Sequence, residues 1–236
     1  MSRRMAMVLG GLICACAIVE AQVWPTDVWS LASPAEVGMD AAYLQQAREY
    51  AQTGGGSGAV IRGGYMAMSW GSLDYRYEMK SSTKSIGGTA LALAIDDGLM
   101  NLGDPARWHH PLVGAEPSSN IATGYLGNIT LLHLATHTAG FGASGGYPEL
   151  QYEPGTQWMY SDGGTNWLGE AITLRYQRDL NDLLFERVFG RIGVVPGSDL
   201  RWRDNLFRSD LIDGIKNREL ASGMAANVDA MARLGY

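Results

Sequence analysis

The stretch SSTK, residues 81–84, places two serines, a threonine and a lysine directly before a long apolar run of helical spacing. Ser81 and Lys84 are three positions apart and therefore share one face if the segment is helical. A serine hydroxyl becomes a nucleophile only when a base removes its proton, and a neighbouring amine can be that base or can keep a second base ionised. Because a pair of this spacing arises by chance about once in a chain of this length, a helix cap explains Ser81 as well as catalysis does.

The predicted helix that follows is a suitable setting for acyl transfer. Ser81 falls in its first turn, where unpaired backbone N–H groups and the helix dipole favour developing negative charge. Apolar residues occupy nearly every side of the segment after Lys84, which indicates a helix that is buried all round. Burial of this kind would favour the uncharged amine, which can accept a proton.

The remaining pattern predicts an α+β protein. A surface helix begins near Asp40 and stops at Gly54, and two short apolar runs around Gly63 and Gly64 favour a tight hairpin. Strands in the first part and helices after them indicate α+β rather than a series of βαβ units. The later helical patterns lie at 129–142, 179–190 and 227–236.

Composition and charge limit the possible functions. The 236 residues are 46% hydrophobic, which is enough to bury a core in one large domain or two intimate ones. A formal net charge of −6 argues against a nucleic-acid partner and against an anionic membrane surface. His109 and His110 are adjacent and point apart, so they cannot chelate one metal ion together. We expect no metal and no cofactor, a small-molecule or peptide substrate, and an oligomeric state that the sequence leaves open.

The N-terminus has the pattern of a secretory signal peptide. Arg3 and Arg4 precede an apolar run, and a small-residue pattern allows cleavage after Ala21. Both cysteines, Cys14 and Cys16, lie inside this segment, so a chain cleaved there would contain no disulfide and no thiolate ligand. We therefore expect a signal peptide over residues 1–21 and a secreted or periplasmic protein, with an uncleaved membrane anchor as the alternative.

Four stretches occur in an order that resembles a known superfamily. They are SSTKSIGGTALALAIDDGLMNLGDPA at 81–106, ITLLHLATHTAGF at 129–141, EPGTQWMYSDGG at 153–164 and LFERVFGRIGV at 184–194. Together they resemble the serine β-lactamase and penicillin-binding superfamily, in the branch of class C β-lactamases, DD-carboxypeptidases and esterases. The resemblance implies a β-lactamase/DD-peptidase-like fold, in which a mostly helical domain beside an antiparallel sheet carries the site.

The resemblance also implies a role for each residue of the site. Ser81 would be the acylated nucleophile, Lys84 its proton partner, and Tyr160 the phenol or phenolate that moves the proton between Ser81 and the leaving group. Taken alone, Tyr160 in WMYSDGGTNWL is better explained as a core aromatic. Either Lys84 or Tyr160 can be the general base, and the sequence leaves that choice open. The family precedent gives His137 a structural role at a helix end.

Asp162 departs from the family pattern. It stands at a substrate-binding position where many members carry asparagine, and an ionised aspartate cannot donate a hydrogen bond to a substrate carbonyl. A carboxylate near Lys84 would also stabilise the ammonium form. This departure favours Tyr160 as the base, and an ester or a small peptide over a β-lactam as the substrate.

A second departure concerns the third family element, Lys-Thr-Gly or His-x-Gly, on a strand beside the site. The sequence up to Tyr236 does not contain it. We therefore expect a domain over residues 22–236 that is truncated before this element, with only the N-terminal strands of the sheet. The loss of one oxyanion donor costs about 10²–10³ in rate.

The sequence thus predicts a serine hydrolase that forms an acyl-enzyme at Ser81. Its substrate would be an ester, an amide, a D-amino-acid peptide or a β-lactam. The alternatives are a catalytically inactive, penicillin-binding-like protein that binds cell-wall peptide, and a non-functional gene fragment. The enzyme is preferred because Ser81, Lys84 and Tyr160 occur together, whereas a binding protein has no need of a buried ammonium.

Overall fold

A computed structural model describes residues 23–236, and the predicted signal peptide lies outside the described residues. The described chain forms the helices α1 (Ala41–Gln52), α2 (Ser82–Gly87), α3 (Thr89–Asp96), α4 (Ser119–Ala122), α5 (Leu131–Ala135), α6 (Asp162–Tyr176), α7 (Leu180–Arg187) and α8 (Val228–Gly235). Its strands are β1 (Ser30–Leu31), β2 (Gly58–Arg62), β3 (Tyr65–Trp70), β4 (Tyr77–Glu78), β5 (Leu200–Trp202), β6 (Leu211–Ile212), β7 (Ile215–Lys216) and β8 (Met224–Ala226).

The strands form three small sheets. In the first, β3 lies between β1 and β2, parallel to β1 and antiparallel to β2. The predicted hairpin is confirmed, and its turn is Gly63-Gly64, with φ of 59° and 86° that suit glycine. The second sheet has the antiparallel order β4–β8–β5, and β6 pairs with β7.

The α+β class is confirmed, and the first sheet consists of N-terminal strands alone, but the sequence pattern did not predict the four later strands. Strands β5 to β8 all lie between residues 200 and 226, and β8 pairs with β4. Each of these late strands is only two or three residues long, which is too short to show a period of two in the sequence. Their pairing places the segment around Met224 beside the one that leads to Ser81.

The apolar pattern after Ser81 forms two consecutive helices, α2 and α3, divided at Gly88. Ala92 is exposed and Ile95 is 36% exposed, so the prediction of burial all round is wrong. The neighbouring helices α6 and α7 cover only one side of α3. The buried residues of α3 are Ala90, Leu91 and Ala94.

Helix α6 is the most deeply buried helix of the described chain, since every residue from Gly163 to Thr173 is buried. Because neighbouring elements surround this helix, no side of it faces solvent, and its sequence lacks the polar face that is typical of a surface helix. Ser161 caps its N-terminus: the Oγ atom accepts from the N–H of Gly164 at 3.0 Å and donates to the carbonyl of Gly142 at 2.7 Å. The cap therefore holds the position of Asp162, which is the first residue of α6.

Two other predicted helices are present in the structure. The helix predicted from Asp40 is confirmed as α1, and the Asp40 carboxylate caps it by accepting from the N–H groups of Ala42 and Tyr43. The pattern at 129–142 forms a shorter helix, α5, which Thr130 caps.

In residues 23–236, no helix reaches the length and apolar character that a bilayer crossing requires.

Candidate active site

Ser81 lies at the junction between β4 and α2. The N–H of Met79 continues the pairing of β4 with β8 by donating to the carbonyl of Met224 at 2.9 Å. Lys80 then adopts a left-handed φ of 49°, which turns the chain sharply into α2. Ser81 occupies the N-cap position of α2, but its side chain makes no capping hydrogen bond. The helix-cap interpretation of its hydroxyl is therefore wrong.

Lys84 lies one turn along α2 and points back toward Ser81, as the three-residue spacing predicts. Its Nζ atom donates to Ser81 Oγ at 3.2 Å, Asp162 Oδ1 at 2.5 Å and the Ala221 carbonyl at 2.8 Å. Only 13% of the lysine side chain is exposed. An ammonium group has three N–H donors and no acceptor, so three acceptors match its charged form.

Tyr160 approaches the same hydroxyl from another part of the chain. Its Oη atom donates to Ser81 Oγ at 2.5 Å. The centroid of its ring lies 4.7 Å from Lys84 Nζ, a cation–π distance. Tyr160 is 37% exposed, so it is not the core aromatic that the local sequence suggests. The structure thus brings together the hydroxyl, the amine and the phenol of the three predicted catalytic residues.

Asp162, the residue predicted to bind substrate, forms an ion pair with Lys84. It is the first residue of α6, and 31% of its side chain is exposed. Its Oδ1 atom lies 2.5 Å from Lys84 Nζ and pairs with the charge of the ammonium. Because an ionised carboxylate has only acceptors, any substrate group that contacts Asp162 has to be a donor.

Sequence reasoning missed the segment 220–224, which lies against α2. The carbonyl of Ala221 accepts from the lysine ammonium, and its N–H donates to Asn166 Oδ1 at 3.1 Å. A Cβ atom on Gly87 would lie 2.2 Å from Leu220 Cδ1, so glycine is what allows this close approach. Backbone contacts of this kind leave no side-chain signal in the sequence, although the Gly87-Gly88 pair indicates close helix packing.

A second group of charged side chains lies buried beside α6. The Nη1 atom of Arg208 lies 3.1 Å from Glu170 Oε2, and the arginine side chain is fully buried. Nη2 of the same arginine donates to the carbonyls of Gly146 at 2.7 Å and Gly163 at 2.8 Å. Arg208 therefore ties a surface loop to the first turn of α6, directly after Asp162.

Glu170 is the anion of this group. His110 Nε2 lies 3.2 Å from its Oε2 atom, and Asn217 Nδ2 donates to Oε1 at 2.9 Å. Burial acts to raise the pKa of Glu170, but the hydrogen bond with His110, the charge of Arg208 and the bond from Asn217 together hold it below its ordinary value. The carboxylate is therefore ionised at neutral pH.

The two adjacent histidines point apart, as predicted. His110 contacts Glu170, whereas His109 Nε2 lies 3.0 Å from Asp104 Oδ2. Within residues 23–236, no three His, Cys, Asp or Glu side chains come together in a way that could bind a metal ion.

A sequence model of the beta-lactamase family matches residues 34–195. The chain belongs to the beta-lactamase family. The matched range contains Ser81, Lys84, Tyr160 and Asp162, and it confirms the predicted superfamily. A search of curated proteins found no match to the chain.

Several solved structures are similar in fold to this chain. A β-lactamase from Mycobacterium bovis has a TM-score of 0.57 and 23% identity, over 78% of this chain and 57% of its own. A β-lactamase/D-alanine carboxypeptidase from Pseudomonas syringae has a TM-score of 0.59 and 17% identity, over 82% and 64% of the two chains. A mutant of simvastatin synthase from Aspergillus terreus has a TM-score of 0.51 and 19% identity, over 69% and 52%.

These neighbours confirm the predicted β-lactamase/DD-peptidase fold. The beta-lactamase-family chain spans 57%, 64% and 52% of the lengths of the three structures. At these identities the similarity concerns the fold.

Proposed function

We propose that this beta-lactamase-family protein is a serine hydrolase in which Ser81 attacks an acyl carbon and water then cleaves the acyl-enzyme. One observation carries the proposal: Ser81 Oγ lies 3.2 Å from Lys84 Nζ and 2.5 Å from Tyr160 Oη. A hydroxyl within hydrogen-bonding reach of a base, with a third group beside that base, is the arrangement that covalent catalysis requires.

Tyr160 is the general base in this proposal. Lys84 donates to three acceptors as an ammonium, which has no lone pair to accept a proton. The same positive charge lies 4.7 Å from the centre of the Tyr160 ring. Once it has given up its own proton, Tyr160 can accept the proton of Ser81 directly across the 2.5 Å contact between Oη and Oγ.

The reaction then has two matching halves. As Ser81 Oγ bonds to the acyl carbon, its proton moves to Tyr160, and a tetrahedral oxyanion forms. Collapse of the oxyanion breaks the bond to the leaving group, which takes the proton from Tyr160. Water next transfers a proton to Tyr160 while it attacks the acyl carbon, and release of the acid returns that proton to Ser81 Oγ.

The backbone around Ser81 provides a donor for the oxyanion. Within residues 23–236, the N–H of Ser81 donates to no backbone carbonyl. It therefore can donate to an oxyanion on the acyl carbon that Ser81 attacks.

The charge balance favours an ester with neutral acyl and alcohol parts. Because Asp162 already pairs with Lys84, the ammonium is not available to bind the carboxylate that β-lactams and D-amino-acid peptides carry. Trp158 is 66% exposed, and its ring centroid lies 6.4 Å from that of Tyr160. This exposed aromatic offers an apolar surface to the substrate.

Steady-state and burst kinetics test the proposal. The substrates are p-nitrophenyl acetate, p-nitrophenyl butyrate, the β-lactam nitrocefin and a D-alanyl-D-alanine peptide, since the structural neighbours include a β-lactamase and a D-alanine carboxypeptidase. We expect a burst of p-nitrophenol stoichiometric with the protein, absent from Ser81→Ala, and a higher kcat/KM for the esters than for nitrocefin.

Two results would overturn this function. Ester hydrolysis that is unchanged in Ser81→Ala would remove the nucleophile. Binding of the D-alanine peptide without turnover, equal in wild type and Ser81→Ala, would instead support an inactive cell-wall-binding protein. A sharp thermal transition for each protein shows that folded chains are compared.

A further inference from the structure

His137 contacts the backbone on both sides of Tyr160. It lies two residues after Ala135, the last residue of α5, with a left-handed φ of 59°. Its carbonyl accepts from the N–H of Met159 at 2.9 Å, and its Nδ1 atom accepts from the N–H of Ser161 at 3.1 Å. A single residue therefore fixes both backbone groups that flank the phenol.

The imidazole of His137 also packs on the phenol ring. The two ring centroids are 4.7 Å apart, and the ring planes form an angle of 29°, so the rings are stacked. Stacking restricts the plane of the Tyr160 ring. Because the ring plane and the backbone together determine where Oη lies, both restraints act on its 2.5 Å contact with Ser81.

The Nδ1 contact requires an imidazole that is unprotonated at this atom. Burial and the positive charge of Lys84 lower the pKa of His137 below its ordinary value, against the opposing effect of Asp162. The ring is therefore neutral at pH 7, with its proton on Nε2 and its Nδ1 lone pair directed at the N–H of Ser161.

We propose that His137 is the positioning residue that directs Tyr160 Oη at Ser81, an inference that rests on the proposed acyl transfer. It acts through Tyr160 and not on the substrate. The residue type suits the role, because histidine, asparagine and aspartate are the non-glycine residues that most often adopt a left-handed φ. Histidine adds to this conformation an acceptor at Nδ1 and a ring that stacks on the phenol.

Two substitutions separate these contributions. His137→Asn tolerates the left-handed backbone and places an Oδ1 acceptor close to the former Nδ1 position. His137→Gly also tolerates that backbone and keeps the carbonyl contact with Met159, but it removes both the acceptor and the ring. Stopped-flow acylation with p-nitrophenyl acetate measures the acylation rate constant and KM for each variant, and thermal unfolding confirms that each is folded.

We expect the acylation rate constant of His137→Gly to fall about 10- to 100-fold with little change in KM, because a 1 Å displacement of a catalytic group costs up to about 100-fold. His137→Asn should recover most of this loss, since it restores the acceptor for Ser161. Wild-type acylation by His137→Gly would overturn the proposal, and so would failure of His137→Asn to acylate faster than His137→Gly.

Crystal structures of wild type, His137→Asn and His137→Gly test the positioning without any activity. The proposal predicts hydrogen-bonding contact between Tyr160 Oη and Ser81 Oγ in the first two, and a separation beyond about 3.5 Å in His137→Gly. An unchanged Oη position in His137→Gly overturns it. If wild type shows no Ser81-dependent acylation, the proposed function fails, and these three structures still decide whether His137 positions Tyr160.

Discussion

Lys84 and Asp162 form an ion pair of 2.5 Å in which 13% and 31% of the two side chains are exposed. The chain contains a second lysine–carboxylate pair nearby, Lys80 with Glu78, in which 73% and 56% of the side chains are exposed. Water and salt screen a partly buried pair less than an exposed one. The two pairs should therefore contribute differently to stability.

Double-mutant cycles measure this difference through urea unfolding. Lys84→Met and Asp162→Asn should show a coupling energy of about 1–3 kcal/mol, because each variant leaves a partly buried charge without its partner. The matched cycle of Lys80→Met and Glu78→Gln should show a smaller coupling energy, because solvent screens this exposed pair. A coupling at the first pair no larger than at the second would contradict a charged Lys84 held by Asp162.

Tyr160→Phe should separate the chemistry of the phenol from its packing. The variant keeps the ring that stacks on His137 and lies beside Lys84, but it removes the atom that contacts Ser81. We expect the acylation rate constant to fall about 10²–10⁴-fold, the usual contribution of a general base, with little change in melting temperature. Tyr43→Phe on the exposed face of α1 is the control, and equal rates for the two variants would exclude Tyr160 as the base.

Arg208→Met should destabilise the fold strongly. The substitution removes the guanidinium that faces Glu170 and binds the Gly163 carbonyl, and it leaves a carboxylate buried without its charge partner. We expect a loss of about 3–5 kcal/mol in the free energy of unfolding. The double variant Arg208→Met, Glu170→Leu should regain part of this loss. A loss below about 1 kcal/mol in the single variant would mean that water reaches Glu170.

Glu170 should also make stability depend on acid pH. Burial acts to raise its pKa from the ordinary 4.5, but His110, Arg208 and Asn217 together lower it in the folded state. The unfolded chain therefore takes up this proton at a higher pH, so Glu170 contributes stability above pH 4.5 and loses it as the pH falls further. Urea unfolding between about pH 6 and 3 should show a steeper loss in wild type than in Glu170→Gln. Equal slopes would show that the carboxylate is not held in its ionised form.

The residues of the candidate site could be predicted because their types and order are local features of the chain. The sequence alone shows the spacing of Ser81 and Lys84 and the segment from Tyr160 to Asp162. The carboxylate of Asp162 already indicates that Lys84 is paired as an ammonium. The fold class follows from the same stretches. The roles of Ser81, Lys84 and Tyr160 followed from the resemblance of these stretches to the serine β-lactamase and penicillin-binding superfamily.

The contacts that organise the site could not be predicted in the same way. Ala221 acts through its backbone carbonyl, which every residue possesses, and Arg208 meets Glu170 only because the tertiary fold brings them together. His137 was expected to be structural, and its position relative to Tyr160 depends on a left-handed φ that its sequence context does not specify. The late strands were missed because two or three residues show no periodicity.

The most direct test of the account is the site of covalent labelling by a fluorophosphonate, read by mass spectrometry of the intact chain and of its peptides. The account predicts one adduct per wild-type chain, located on Ser81. Ser81→Ala should gain none, and Ser82→Ala, which removes the exposed hydroxyl next along the chain, should label as wild type does. A folded wild type that gains no adduct, or an adduct that persists in Ser81→Ala, would contradict an activated hydroxyl at residue 81.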